Sequence, residues 1–277
     1  MRHFLVYEAI LVVVVALAVA LGIALHALGR RRAMDGDGAF VGDGISSAAG
    51  YVGGAVAFLL GLLLLFSVQH YDTAKSTAHD EAIAYSATFD ASSTLDPAVR
   101  TPVQRDLVCL MRSIRDDSWN AVVGGEITGN ANTLAWLAKT RETLAGAPEG
   151  SRGSELSRDT DWSEFQTAEN LHQQRLLLAD NELPPVVWGV IYISIFILFV
   201  MLAVLLRDNR LLLLVGVIGC FVITAAIIAA LLAFADPFSE FGATIQPDAL
   251  THVMERLQVA YPGDAWKPCE SLVTAST

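Results

Sequence analysis

The sequence predicts an all-α membrane protein: four transmembrane helices with a helical domain inserted between spans two and three. Three observations carry that prediction. The chain is 53% hydrophobic and 17% charged, with a mean hydropathy of +0.48, whereas roughly a quarter of a soluble domain's residues carry charge. Four apolar windows, 4–28, 51–68, 186–206 and 211–235, each reach the length needed to cross a hydrocarbon core. Between the second and third windows the apolar residues recur at helical spacing, with no strand-like alternation. The chain therefore divides into a first helix pair at 1–70, a polar helical domain at 71–185, a second helix pair at 186–235, and a C-terminal surface helix with a tail at 236–277.

The first window is far longer than the apolar core of a signal peptide, about 7–15 residues. It ends at Arg30, Arg31 and Arg32 without a small-residue cleavage pattern, so an uncleaved span is expected. Glu8 in its first turns reads as a carboxylate reaching back to the headgroups. Met34 to Ser47, with Asp35-Gly36-Asp37-Gly38, reads as a flexible linker. It lacks the acidic residue that would close a calcium loop.

The second span has two stripes. Gly53, Ala57 and Gly61 recur every fourth residue on a face where helix backbones can approach closely. Phe58, Leu62 and Phe66 form a neighbouring stripe of large apolar residues at the same spacing. Ordinary packing explains both. So does a set of copies arranged about an axis, with the large residues forming a constriction. The span passes into polar helical sequence at Gln69 without a breaker, so one long helix is expected to leave the bilayer and continue.

The domain at 71–185 holds 10 Asp and 8 Glu against 10 Lys and Arg, a net of −8. Asp96-Pro97 reads as an N-cap with proline in the first turn, although Pro102 allows the helix proper to begin later. Leu107, Leu110, Met111 and Ile114 mark its buried face. Asn130 or Asn132 can cap a helix bearing Leu134, Leu137 and Leu144. Residues 146–153 read as a loop, and Asp161 with Glu164 as a capping-box start. That helix stops at Pro184-Pro185, which open the third span beside Trp188. The stretch Arg207-Asp208-Asn209-Arg210 is a hairpin into the fourth span. Leu250, Val253, Met254 and Leu257 then form one side of a last helix, before a tail that reads as loose beyond Gly263.

The net charge of −11 argues against nucleic acid as a partner. No hydrolase elbow, zinc-protease motif, phosphate loop, dinucleotide fingerprint or CxxC pair is present, so no enzyme activity, cofactor or metal is expected. His79-Asp80-Glu81 and Asp116-Asp117 read as solvated faces, and Trp119 as a core or interface anchor.

Four pieces in order resemble the bestrophin-like family of bacterial membrane proteins, relatives of the bestrophin anion channels. They are the glycine-rich second span running into AKSTAHDEA (74–82), DPAVRTPVQRDLVCLMRSIRDDSWNAV (96–123), LPPVVW (183–188) and DPFSEFGATIQPDAL (236–250). The last is slightly longer than the family pattern at Ser239-Glu240-Phe241. The resemblance implies ring-shaped homo-oligomers, pentamers, with a central pore lined by the second span and inorganic ions as its cargo. Phe58, Leu62 and Phe66 then become the constriction. The bestrophin calcium clasp does not carry over, for want of a matching acidic run near the end of the fourth span. The other reading is a membrane-anchored sensor or scaffold whose acidic domain binds a protein.

Orientation in a bacterial plasma membrane follows from cations near the span ends. Arg30, Arg31, Arg32, Arg207 and Arg210 lie on one side, against Arg2, Lys75 and Arg175 on the other, 5 to 3. This predicts cytoplasmic short loops, with the domain and both termini outside. The family resemblance implies the reverse for the domain, and the chain's own charges are given precedence. An outside location permits a Cys109–Cys269 disulfide. The alternative is a buried Cys109 with a free Cys269 in the tail.

Overall fold

The computed structural model describes residues 2–32, 38–124, 128–146, 152–179, 184–206, 209–238 and 243–273. Among these residues it is all helical. The chain forms two compact units, one of Met1–Gln69 with Glu182–Ala235 and one of His70–Asn181 with Asp236–Thr277.

The first unit holds α1 (Arg2–Arg32), the first part of α2 (Gly38–Ser92), α7 (Pro185–Leu206) and α8 (Arg210–Ala235). Among the described residues, four helices are long and apolar enough to cross a membrane. Their inward faces follow helical spacing: Leu11, Val15 and Ala18 on α1, and Ile191, Ile195 and Phe199 on α7, with Ala203 buried one turn further on. Val56 and Leu60 of α2 and Ile228 and Leu231 of α8 complete this core. Tyr7 stacks on Trp188 at a centroid distance of 4.4 Å, and the Tyr192 hydroxyl donates to the Tyr7 carbonyl at 3.1 Å. These amphipathic rings suit a membrane–water interface. The Asn209 side chain caps α8, accepting from the amides of Leu211 and Leu212.

At Gly22 a neighbouring helix backbone approaches closely. A Cβ there would lie 2.7 Å from Ala203 Cβ and 2.8 Å from the Val200 carbonyl oxygen. Gly22 lies four residues after the buried Ala18, the same small-residue spacing noticed in α2. Gly53 meets only Leu198 at 3.6 Å, and nothing lies within 4 Å of a Cβ at Gly61.

The linker expectation fails from Gly38 onward, because α2 already begins there. Glycine and aspartate disfavour a helix by only about 1 kcal/mol or less per residue, a prior that context overrides. Residues 34–37, 207–208 and 239–241 lie outside the described residues, as do 147–151 and the side chains of Arg30, Arg31, Arg32 and Arg210.

The second unit is built on the continuation of α2. Asp96 caps α3 (Pro97–Ser113), accepting from the Ala98 amide, so the helix starts at Pro97 and carries Pro102 inside. A π-helical turn, Ile114–Ser118, leads into α4 (Trp119–Val123). Asn130 caps α5 (Ala131–Ala145). The next helix, α6 (Arg152–Ala179), starts nine residues before Asp161, so Asp161 is interior to a helix and caps nothing. It is buried, and neither carboxyl oxygen has a hydrogen-bond partner. Burial pushes its pKa up to about 7.

The last helix, α9 (Asp248–Ala260), buries Leu250, Met254 and Leu257. They join a core that includes Tyr85, Phe89, Leu107, Leu110, Met111, Ile114 and Phe165. The tail is not loose as far as residue 273. A 3₁₀ turn spans Asp264–Trp266, and the Trp266 indole donates to the Tyr261 carbonyl at 2.9 Å. Arg112 donates to the carbonyls of Trp266 and Lys267 at 3.0 and 2.9 Å. The Leu272 amide donates to Asn132 Oδ1 at 3.1 Å. Composition concealed this, because backbone carbonyls rather than an apolar run hold the tail. Cys109 and Cys269 sit at bonding distance, S–S 1.99 Å and Cα–Cα 5.6 Å.

Candidate functional site

In α2 the sequence places two stripes, and both lie largely outside the packing of the protomer. Val56 and Leu60 turn into the helix core, with Val52, Leu59 and Leu63 beside them. Phe58, Leu62 and Phe66 are 74%, 40% and 55% exposed. Ala57 and Gly61 are exposed as well, and a Cβ added at Gly53 would meet Leu198 of α7. A face this apolar is covered by lipid or by another protein surface.

The second constellation is in the domain, and the sequence reading missed it. Of His79, Asp80 and Glu81, the first two are exposed as expected, but Glu81 is fully enclosed. Its Oε1 lies 2.7 Å from His172 Nδ1, and its Oε2 accepts from Arg175 Nε at 2.6 Å. Arg175, with no exposed surface, lies over the Trp119 ring at 4.3 Å, a cation–π contact strengthened by desolvation. Trp119 is fixed in turn by its indole donating to the Ile245 carbonyl at 3.2 Å and by an edge contact with Phe238.

Burial pushes the Glu81 carboxyl up. The Arg175 charge and the hydrogen bonds from His172 and Arg175 outweigh it, and hold the pKa below the ordinary carboxylate value. An ionised carboxylate only accepts, so His172 Nδ1 carries the hydrogen in this bond. Arg175 Nη2, 3.2 Å from the same nitrogen, is then a neighbour rather than a donor to it. In the neutral ring, Nε2 keeps its lone pair, and it has no hydrogen-bond partner. The sequence signal for this network was Glu81 among Ala78, Ala82 and Tyr85, and Arg175 three residues after His172 on one helix face. Neither half points to the other across some ninety residues.

Asp116 and Asp117 also separate. Asp116 is exposed and pairs with Arg115. Asp117 is half-buried and accepts from the Ser113 hydroxyl at 2.8 Å and the Asn132 amide at 2.7 Å. Among the described residues no cluster of three His, Cys, Asp or Glu could hold a metal ion.

A four-span helical bundle with a helical domain between spans two and three defines an integral membrane protein of the bestrophin architecture. Residues 12–250 match the model of the bestrophin-like domain, and the chain belongs to the bestrophin-like family. Among solved structures it is similar to two variants of a bacterial bestrophin homologue from Klebsiella pneumoniae. One has a TM-score of 0.66 and 14% identity, covering 92% of this chain and 99% of that one. The other has a TM-score of 0.65 and 12% identity, covering 90% and 98%. A crystal structure described as a membrane protein also matches, at a TM-score of 0.56 and 13% identity over 92% of this chain and 98% of that one. At these identities the likeness concerns the fold. No curated protein matches the sequence.

Proposed function

We propose that this chain assembles into a ring of identical subunits whose second span lines an ion pathway. Phe58, Leu62 and Phe66 form the constriction, and Gly53, Ala57 and Gly61 allow close packing of neighbouring helices. The observation that carries the reading is the exposed stripe of α2. Three large apolar side chains at four-residue spacing face away from the protomer's own core. In a ring they would gate by dewetting. The net −8 of the domain that begins where this span ends concentrates cations and repels anions. Inorganic cations are therefore the expected cargo, despite the anion-channel relatives. The resemblance supplies the pentamer as the expected count.

The two short loops are placed in the cytoplasm, with the domain and termini outside the bacterial plasma membrane. The arginine count supports this orientation, and the juxtaposed sulfurs of Cys109 and Cys269 suit an oxidising compartment. Reconstitution into planar bilayers with asymmetric KCl tests the conduction reading. A reversal potential of cationic sign is expected, and a clear chloride preference would overturn the charge argument. The second reading, a sensor or scaffold that binds a protein partner through the domain, is favoured by the exposed Leu177 and Val259. It predicts no conductance in the same bilayers.

A further inference from the structure

A cleft of about 310 Å³ lies between α5 and α6, within the helical domain. This is within the size range of small-ligand sites, about 300–1,000 Å³. Each helix contributes one face: Leu134, Leu137, Ala138 and Arg141 from α5, and Glu169, His172, Gln173 and Leu176 from α6. The helices run antiparallel along it. Leu134 and Leu176 close one end, both 3.7 Å from where a Cβ of Gly129 would stand. Gly129 has φ +85°, so a side chain there would be strained. The other end is the Arg141–Glu169 ion pair. Seven residues of helix separate the ends, about 10 Å.

The walls are apolar, and two of the polar groups, Glu169 and the neutral His172 Nε2, can accept. His172 is 1% exposed, and its Nε2 has no protein partner. Glu81 holds a hydrogen on Nδ1, so in the neutral ring Nε2 offers a lone pair. The Glu169 carboxylate uses Oε1 for Arg141. A buried nitrogen left without a partner costs on the order of 1–3 kcal/mol, which a donor delivered from the cleft would recover. Nε2 is covered, so such a ligand must shift a wall side chain to reach it.

We propose that this cleft binds a primary ammonium compound with an apolar body. The body lies against Leu134, Leu137 and Leu176, and the ammonium donates to Glu169 and His172. The acidic domain raises the local concentration of such a cation. An anionic ligand that meets Arg141 would bring its charge beside the Glu169 carboxylate.

The test is calorimetric titration of the full-length protein in detergent with phenethylamine, and with 3-phenylpropionate as the anionic counterpart of the same shape. Phenethylamine is expected to bind and 3-phenylpropionate not to. E169Q should weaken phenethylamine about tenfold or more, the scale of a lost charge-assisted bond. R141Q, which releases the carboxylate, should bind it more tightly. A138F fills the cleft from an exposed position and should abolish binding without lowering the thermal midpoint. The proposal is overturned if phenethylamine gives no saturable heat, or if 3-phenylpropionate binds as well. Loss of binding in R141Q, or wild-type affinity in E169Q or A138F, would overturn it equally. None of these readouts depends on conduction, so failure of the channel reading leaves the test intact.

Discussion

Replacing Glu81 with methionine should be among the most damaging substitutions in the domain. It leaves Arg175, a guanidinium with no exposed surface, without its counter-charge. Breaking one partner of a buried pair costs about 3–5 kcal/mol. For a chain of this size that is on the order of 10 °C in the thermal midpoint. Arg175→Met should cost a comparable amount, because Glu81 then keeps only His172. The double variant E81M/R175M removes both charges and leaves apolar groups of similar size, so its loss should fall well below the sum of the singles. The residual cost is His172 Nδ1 without an acceptor, about 1–3 kcal/mol. The assay is thermal unfolding of purified full-length protein in one detergent at one scan rate, arranged as a double-mutant cycle. Strict additivity of the two single losses would refute the buried pair, as would a midpoint in E81M unchanged from wild type.

Asp161 provides a pH prediction. Its folded carboxyl is held at about 7, above the ordinary value of 3.8, so the folded state binds the proton more tightly than the unfolded chain. Stability is therefore fullest below about pH 4, falls as pH rises toward 7, and levels off above that. At about 1.4 kcal/mol per tenfold, the full loss is on the order of 4 kcal/mol. Asp161→Asn should flatten the decline in melts between pH 5 and 8, and an unchanged slope would place its cause elsewhere. At Gly22, alanine would press on Ala203 and the Val200 backbone, costing about 1–3 kcal/mol, whereas Gly61→Ala should leave the protomer's own packing intact. Paired melts compare the two. Removing both Cys109 and Cys269 as serines should cost about 2–4 kcal/mol. The wild-type protein from intact cells should show a mobility shift on reduction, and no shift would mean the thiols are free there. Alanine at Phe58, Leu62 or Phe66 should raise leak current in bilayers, and unchanged conductance in a conducting protein would place the constriction outside this stripe.

The spans and most helix starts were legible because each rests on local signals. Apolar windows define the spans, Asp96 and Asn130 cap α3 and α5, and Pro185 opens α7. The errors arose where a local signal competes with distant packing. Asp161 and Glu164 have the pattern of a capping box, yet α6 extends through them because Phe165 and Ala168 are drawn into a core formed by other helices. Glu81 resembled its exposed neighbours His79 and Asp80 because its partner stands on a helix far along the chain. Beyond the Cys109–Cys269 pairing that the sequence allowed, the tail's hydrogen bonds were equally hidden, since Arg112 and Asn132 bind it through backbone atoms that every sequence has. The stripe of α2 could be read from spacing alone, and the folded protomer leaves it outward.

The central claim is that identical copies close around the second span, and the native mass of the purified protein tests it most directly. Mass measurement in detergent, corrected for bound detergent, should give a single species at an integral multiple of 29.7 kDa, with five copies expected from the resemblance. Ala57→Phe or Gly61→Phe should shift that species toward smaller assemblies, since a large side chain forces apart the close helix packing that the small residues allow. A wild-type protein that runs as a monomer of 29.7 kDa across protein concentrations and in a mild detergent would contradict the ring, and the pore with it.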